Sequence, residues 1–223
     1  FEESISALRT SLVLSDDEKN LQAIAVASAT SREGKTSLAA QLAVSLATST
    51  CQPTLLIDAD VRDPDLHALF DVSLSPGLVE VLQNQHSLDE SIVPTHRGMV
   101  HVLPAGQLTR NPRELFGDGR LDAVMAELRG RNRYIVIHSP PILVSSEALA
   151  LAKVPDGGLL RPMRDTSRIN LVHQANARLQ MAGVRSLGCV LAGVPARQYE
   201  SHYGGYYTRR YDTVGDSQRP PEK

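Results

Sequence analysis

Near the start of the chain, Ser28-Ala29-Thr30-Ser31-Arg32-Glu33-Gly34-Lys35-Thr36-Ser37 combines a glycine turn, cations and hydroxyl residues in the order that can wrap a phosphate chain. Backbone N–H groups of such a loop, and the positive end of a helix starting near Lys35, attract anions. Lys35 would then sit as a point charge on the outer phosphate oxygens, and the Thr36 hydroxyl would ligate Mg²⁺. Thr30, Ser31, Arg32, Glu33, Gly34, Lys35, Thr36 and Ser37 are the candidate nucleotide contacts. The segment fits the P-loop pattern except that Ala29 stands where the first glycine usually does. Arg32 lies three residues before Lys35, where related loops usually carry glycine, so a positive φ there would strain it. Its guanidinium could instead serve as a further phosphate cation. The plain alternative is an accidental Gly-Lys-Thr, which a strand before the loop and a helix after it would argue against.

A second constellation is Leu55-Leu56-Ile57-Asp58-Ala59-Asp60-Val61-Arg62, which sets two carboxylates at the end of an apolar run. Beside a phosphate loop, such carboxylates hold Mg²⁺ or accept the proton of an attacking hydroxyl. Lys35, Asp58 and Asp60 are therefore the candidate catalytic residues, and Thr36 and Asp58 the candidate metal ligands. In the plainer reading, one carboxylate caps the next helix or pairs with Arg62.

These residues need a scaffold that brings loop ends together. Apolar runs rich in Val, Ile and Leu occur at Ala23 to Ala27, Leu55 to Ile57, Val100 to Leu103, Tyr134 to Ile137, Gly158 to Leu160 and Leu187 to Leu191. Helical patterns separate them at Ser37 to Ala47, Arg120 to Leu128, Ser146 to Ala152 and Arg168 to Met181. Alternation of this kind predicts an α/β fold with a mostly parallel sheet and ligands at the carboxyl ends of its strands. An amphipathic segment, Glu2 to Leu14, adds a helix in front. One domain is expected over 1–196, with 1–20 as an added helix for assembly, followed by a mobile tail over 197–223. Five of the six tyrosines, Tyr199, Tyr203, Tyr206, Tyr207 and Tyr211, fall in that tail.

Composition narrows the partners. The 223 residues carry a formal net charge of −2 with cations scattered along the chain, so no nucleic-acid footprint is present. Cys51 and Cys189 stand apart without metal-ligand spacing, which suits a reducing cytosol. No stretch approaches the roughly 18 to 20 apolar residues that span a bilayer. Because the sequence opens at Phe1, it reads as a piece of a longer protein whose remainder could hold membrane helices.

Leu55-Leu56-Ile57-Asp58-Ala59-Asp60-Val61-Arg62 resembles the second Walker motif of the bacterial tyrosine kinases of exopolysaccharide assembly. Asp63-Pro64, Pro76-Gly77-Leu78, Leu103-Pro104-Ala105-Gly106, Asn111-Pro112-Arg113-Glu114-Leu115 and Ser139-Pro140-Pro141 are similar to that family's further motifs in the same order. The resemblance implies an ATP- and Mg²⁺-dependent P-loop kinase of MinD/ParA-like fold that phosphorylates its own tail tyrosines, Tyr199, Tyr203, Tyr206, Tyr207 and Tyr211. It also implies a homo-oligomer, a membrane polysaccharide co-polymerase segment as partner, and a place at the cytoplasmic face of the bacterial plasma membrane.

Several residues depart from the pattern. His138 stands where the strand Tyr134 to Ile137 should end in the Walker B aspartate, Ser6 replaces an assembly arginine, and Ala192 an asparagine that can contact adenine. Arg161-Pro162 interrupt an expected buried strand. These changes keep a second reading open, a degenerate nucleotide-binding scaffold in the same machinery. A third, a MinD- or ParA-like ATPase, is disfavoured because Arg32 is the only cation in the five residues before Lys35.

Overall fold

A computed structural model of the chain describes residues 2–14, 21–117 and 119–195. The tail from Arg197, with the five tyrosines expected to accept phosphate, lies outside the described residues.

In chain order the elements are α1 (Glu2–Leu14), β1 (Ala23–Ala27), α2 (Lys35–Thr50), β2 (Thr54–Asp58), α3 (Leu66–Leu69), α4 (Leu78–Leu82), α5 (Leu88–Ser91) and β3 (Val93–Thr95). There follow β4 (Val100–Leu103), α6 (Pro112–Leu115), α7 (Arg120–Arg131), β5 (Tyr134–His138), α8 (Ala148–Ala152), β6 (Gly157–Leu160), α9 (Ile169–Met181) and β7 (Ser186–Cys189). The strands form one seven-stranded sheet in the order β3-β4-β2-β5-β1-β6-β7. Only β3 runs antiparallel.

Every expected strand and helix is present, within a few residues at each end. β3 was not foreseen, because an exposed Pro94 between two partly buried residues gives no strand signature.

Helices cover both faces of the central strands, so those strands are apolar throughout and sort their side chains by alternation. Ile24, Val26, Leu56 and Val136 face Leu38, Leu42 and Leu46 of α2 in one core cluster. Leu55, Ile57, Ile135 and Ile137 face Leu78, Leu121, Met125 and Leu128 of α4 and α7 in the other. Ala39, Ala43 and Ala47 are fully buried on α2, where small side chains let the helix lie close to the sheet. That approach brings the start of α2 to the middle of the sheet's carboxyl edge.

Asp156 anchors the opposite edge, accepting the N–H groups of Gln22 and Ala23 at 2.8 Å each. Arg129 of α7 pairs with it at 2.8 Å. Partial burial opposes ionisation, but the guanidinium and the two N–H groups outweigh it and hold the Asp156 carboxyl below its ordinary value. A carboxyl with a depressed folded-state pKa adds stability above the unfolded value of about 3.9, and that stability is lost as the pH falls. Asp156→Ala should therefore cost about 2 kcal/mol in urea unfolding at pH 7. The loss of stability below about pH 4 should be shallower in the variant than in the parent.

Candidate functional site

The loop between β1 and α2 adopts the expected turn. Gly34 has φ 78° and caps α2, while Arg32 has φ 63°, the left-handed conformation that burdens a non-glycine residue by about 1 kcal/mol or more. The first N–H groups of α2 have no acceptor within the helix, so they are available to an anion. Ser28 donates its hydroxyl to the Thr30 carbonyl at 2.6 Å, and the Ser28 and Ala29 carbonyls accept from Ile142 and Leu143 at 2.9 and 3.2 Å. Neighbouring chain thus braces the loop from outside.

Glu33, expected among the nucleotide contacts, is 1% exposed and serves the loop itself. Its carboxylate accepts from the Thr30 N–H at 2.9 Å and from the Ser167 hydroxyl. Arg32 points outward and is exposed, whereas Lys35 is buried with its ammonium 3.7 Å from Asp60. Burial pushes the Asp60 carboxyl above its ordinary value, against the pull of Lys35 and His138.

Asp58 is fully buried and fully engaged. Its Oδ1 accepts from the Asp60 N–H at 3.2 Å and lies 3.0 Å from His138 Nδ1, and its Oδ2 accepts from Asp65 and Leu66 N–H at 3.2 and 3.0 Å. The helix-capping role foreseen for one of the two carboxylates thus falls to Asp58, at the start of α3. Arg62 pairs with Glu147 instead of with either aspartate. Although burial opposes it, the Arg62 hydrogen bond holds the Glu147 carboxyl down at about 2.

His138 is 1% exposed and joins the two candidate metal ligands. Its Nδ1 faces Asp58 and its Nε2 lies 3.2 Å from the Thr36 hydroxyl, which is also 3.4 Å from Asp65. The loop suits a phosphate chain, but the donor set does not suit Mg²⁺. Both Asp58 oxygens already carry protein hydrogen bonds, and an imidazole stands against Thr36 where the aspartate of the motif would hold the metal's water shell. Among the described residues, no group of three or more His, Cys, Asp and Glu side chains is placed to hold a metal.

Two features of the site had no signal in the sequence. Ser167 latches the loop through Glu33, and Arg161 places its guanidinium against Gly34. Both follow β6 and meet the loop only through the tertiary fold. A groove of about 690 Å³ between α1 and α2, with Ile5, Ser6, Arg9 and Val44 on its walls, meets the candidate nucleotide contacts only at Ser37.

No protein-family model matches the chain. Over 205 residues it is 30% identical to CapB of Staphylococcus aureus, named among the tyrosine-protein kinases, covering 92% of this chain and 89% of that one. The chain belongs to the bacterial tyrosine-protein kinase family. Etk of Escherichia coli, another tyrosine-protein kinase, is 32% identical over 195 residues, 87% of this chain and 27% of its own length. The solved kinase domain of Etk superposes with a TM-score of 0.84, covering 88% of this chain and 76% of that one. MinD of Pyrococcus horikoshii, solved with Mg-ADP, shares the fold at a TM-score of 0.66 and 22% identity, covering 81% and 76%. That structure holds nucleotide and Mg²⁺, whereas in this chain an imidazole stands against both Thr36 and Asp58.

His138→Asp should place a second carboxylate against Asp58 in a site without water. The variant should lose about 2 kcal/mol of stability in EDTA, and Mg²⁺ should restore it. Thermal unfolding with and without Mg²⁺ reads both effects; the parent's midpoint should not respond to the metal.

Proposed function

We propose that the chain is an ATP-dependent protein-tyrosine kinase domain that phosphorylates tyrosines of its own tail and thereby regulates exopolysaccharide or capsule assembly. The single observation that carries this reading is the buried Lys35 at the open end of α2, 3.7 Å from Asp60, inside a braced phosphate loop. In the reaction a tyrosine oxygen attacks the γ-phosphorus, the bond to the β-phosphate bridging oxygen breaks, and ADP leaves with that electron pair. Asp60 takes the phenolic proton, a role its burial favours by raising its proton affinity. Lys35 leaves Asp60 to neutralise the transferring phosphoryl group. No step is assigned to Mg²⁺, because its donors are engaged elsewhere.

The same reading places the domain at the cytoplasmic face of the plasma membrane. There it works as a homo-oligomer with a membrane co-polymerase segment, and residues 2–14 and the groove beside them are available for assembly. No described helix is long and apolar enough to cross a membrane.

One observation favours a second reading, a nucleotide-binding scaffold without transfer activity: His138 occupies both Thr36 and Asp58. In that case the parent produces no phosphotyrosine and His138→Asp creates it.

Lys35→Met in the purified chain should lower tail phosphorylation by ATP at least 100-fold, equivalent to about 2.7 kcal/mol of transition-state stabilisation. Phosphotyrosine immunoblotting of protein from a host without such kinases reads the loss. Undiminished signal in the folded variant would remove Lys35 from the chemistry.

A further inference from the structure

Arg161 is 7% exposed, and its Nε and Nη1 have no hydrogen-bond partner. A guanidinium with two unpaired nitrogens at such depth is rare, because removing an ion from water is costly unless another charge or a set of acceptors replaces the lost solvation. The carboxylates around the phosphate loop are already taken. Asp60 faces Lys35, Asp58 holds His138 and three N–H groups, and Glu33 serves Thr30 and Ser167.

The place of this cation is informative. β6 lies beside β1, with Leu160 in register with Ala27, and the Arg161 N–H donates to the Ala27 carbonyl at 2.8 Å. Arg161 therefore leaves the sheet next to the strand end from which the phosphate loop springs. A Cβ added to Gly34 would lie 2.1 Å from Arg161 Nη1 and 2.8 Å from Cζ, so the guanidinium rests directly on the glycine that caps α2. Pro162 restricts the backbone before it to extended conformations, which presets the direction of the Arg161 side chain.

We propose that Arg161 is a phosphate-binding residue, forming with the start of α2 and Lys35 a cradle that holds nucleotide phosphates without a divalent cation. The inference rests on the reading of this loop as a nucleotide site. Its chemistry is the fork of N–H donors on a guanidinium, which matches two oxygens of one phosphate and is permanently charged. It also accounts for two departures together. At 138 the chain has given up the carboxylate that would hold the metal's water shell, and at 161 it has placed a cation where a strand would continue with an apolar residue. Charge that Mg²⁺ would bring to the phosphates comes instead from the protein.

Calorimetric titration of the full chain with ATP, in excess EDTA and in Mg²⁺, tests the proposal, with inorganic phosphate as a second probe. The parent should bind ATP in EDTA within about threefold of its affinity in Mg²⁺, where tenfold corresponds to 1.4 kcal/mol. Arg161→Met should weaken binding in EDTA about 10- to 100-fold, and Arg161→Lys, which keeps the charge without the fork, by less. Inorganic phosphate competing as well as ATP would reassign the cradle to free phosphate and overturn the nucleotide assignment.

Thermal unfolding without ligand separates a binding role from a structural one. Loss of an unpaired buried charge should leave the Arg161→Met midpoint equal to or above the parent's. A lowered midpoint with unchanged ATP affinity would make Arg161 a packing residue and overturn the proposal. So would ATP binding that vanishes in EDTA and ignores Arg161, even if tail phosphotyrosine then still forms in Mg²⁺ and the kinase reading stands. Metal-free binding that depends on Arg161, with no phosphotyrosine under any condition, would uphold the cradle and remove the kinase. Absence of any ATP binding would overturn both.

Discussion

A carboxylate with no access to water organises the carboxyl edge of this sheet. Asp58 ends the second strand at 0% exposure, and a charge so placed persists only if every lone pair finds a proton. The chain supplies them from three directions: the turn at Asp60, the start of α3 at Asp65 and Leu66, and the imidazole of His138 across the neighbouring strand. Through His138 the network reaches Thr36 and so fixes the first turn of α2 relative to the second strand. The phosphate loop, the acidic turn and the end of β5 are therefore held as one unit by solvation demand as much as by apolar packing.

This arrangement explains how a nucleotide fold can lose a signature residue without losing its shape. An aspartate at 138 would repel Asp58 unless a metal stood between them. A histidine pairs with Asp58 directly, so the ligand-free site is satisfied by the protein's own groups. Comparison with the family's second Walker motif therefore says less about activity here than the hydrogen bonds do, since the two flanking aspartates are retained while one of them is wholly occupied.

Much of this architecture could be read from residue patterns. Five of the six expected strands are largely buried apolar runs because both faces of that part of the sheet are covered, β7 being mostly exposed, and α2 and α9 are long enough to show their periodicity. The loop and both aspartates were visible because their chemistry depends on local order. The single-turn helices at Leu66–Leu69, Leu78–Leu82, Leu88–Ser91 and Pro112–Leu115 were not, since one turn is too short to display a period. Nor could the division of labour between Asp58 and Asp60 be read: both sit at one strand end, and only the path of the chain toward α3 decides which becomes the cap. Arg161 looked like a mere interruption of a strand, because its partner surface, the bare Cα of Gly34, lies far away in sequence.

The segment from 161 to 167 touches the loop at two points, through Arg161 on Gly34 and through Ser167 on Glu33. It also leans on the far end of the domain, where Met163 bridges Ala192 and the Arg164 N–H donates to the Ala192 carbonyl at 2.9 Å. Ala192 stands only a few positions ahead of the stretch that carries the tyrosines. One short stretch of chain thus connects the phosphate loop, at Gly34 and Glu33, to Ala192 near the end of the described residues. A displacement of Gly34 or Glu33 would press on Arg161 and Ser167, so the loop and the edge of the domain at Ala192 share their load through a single connection.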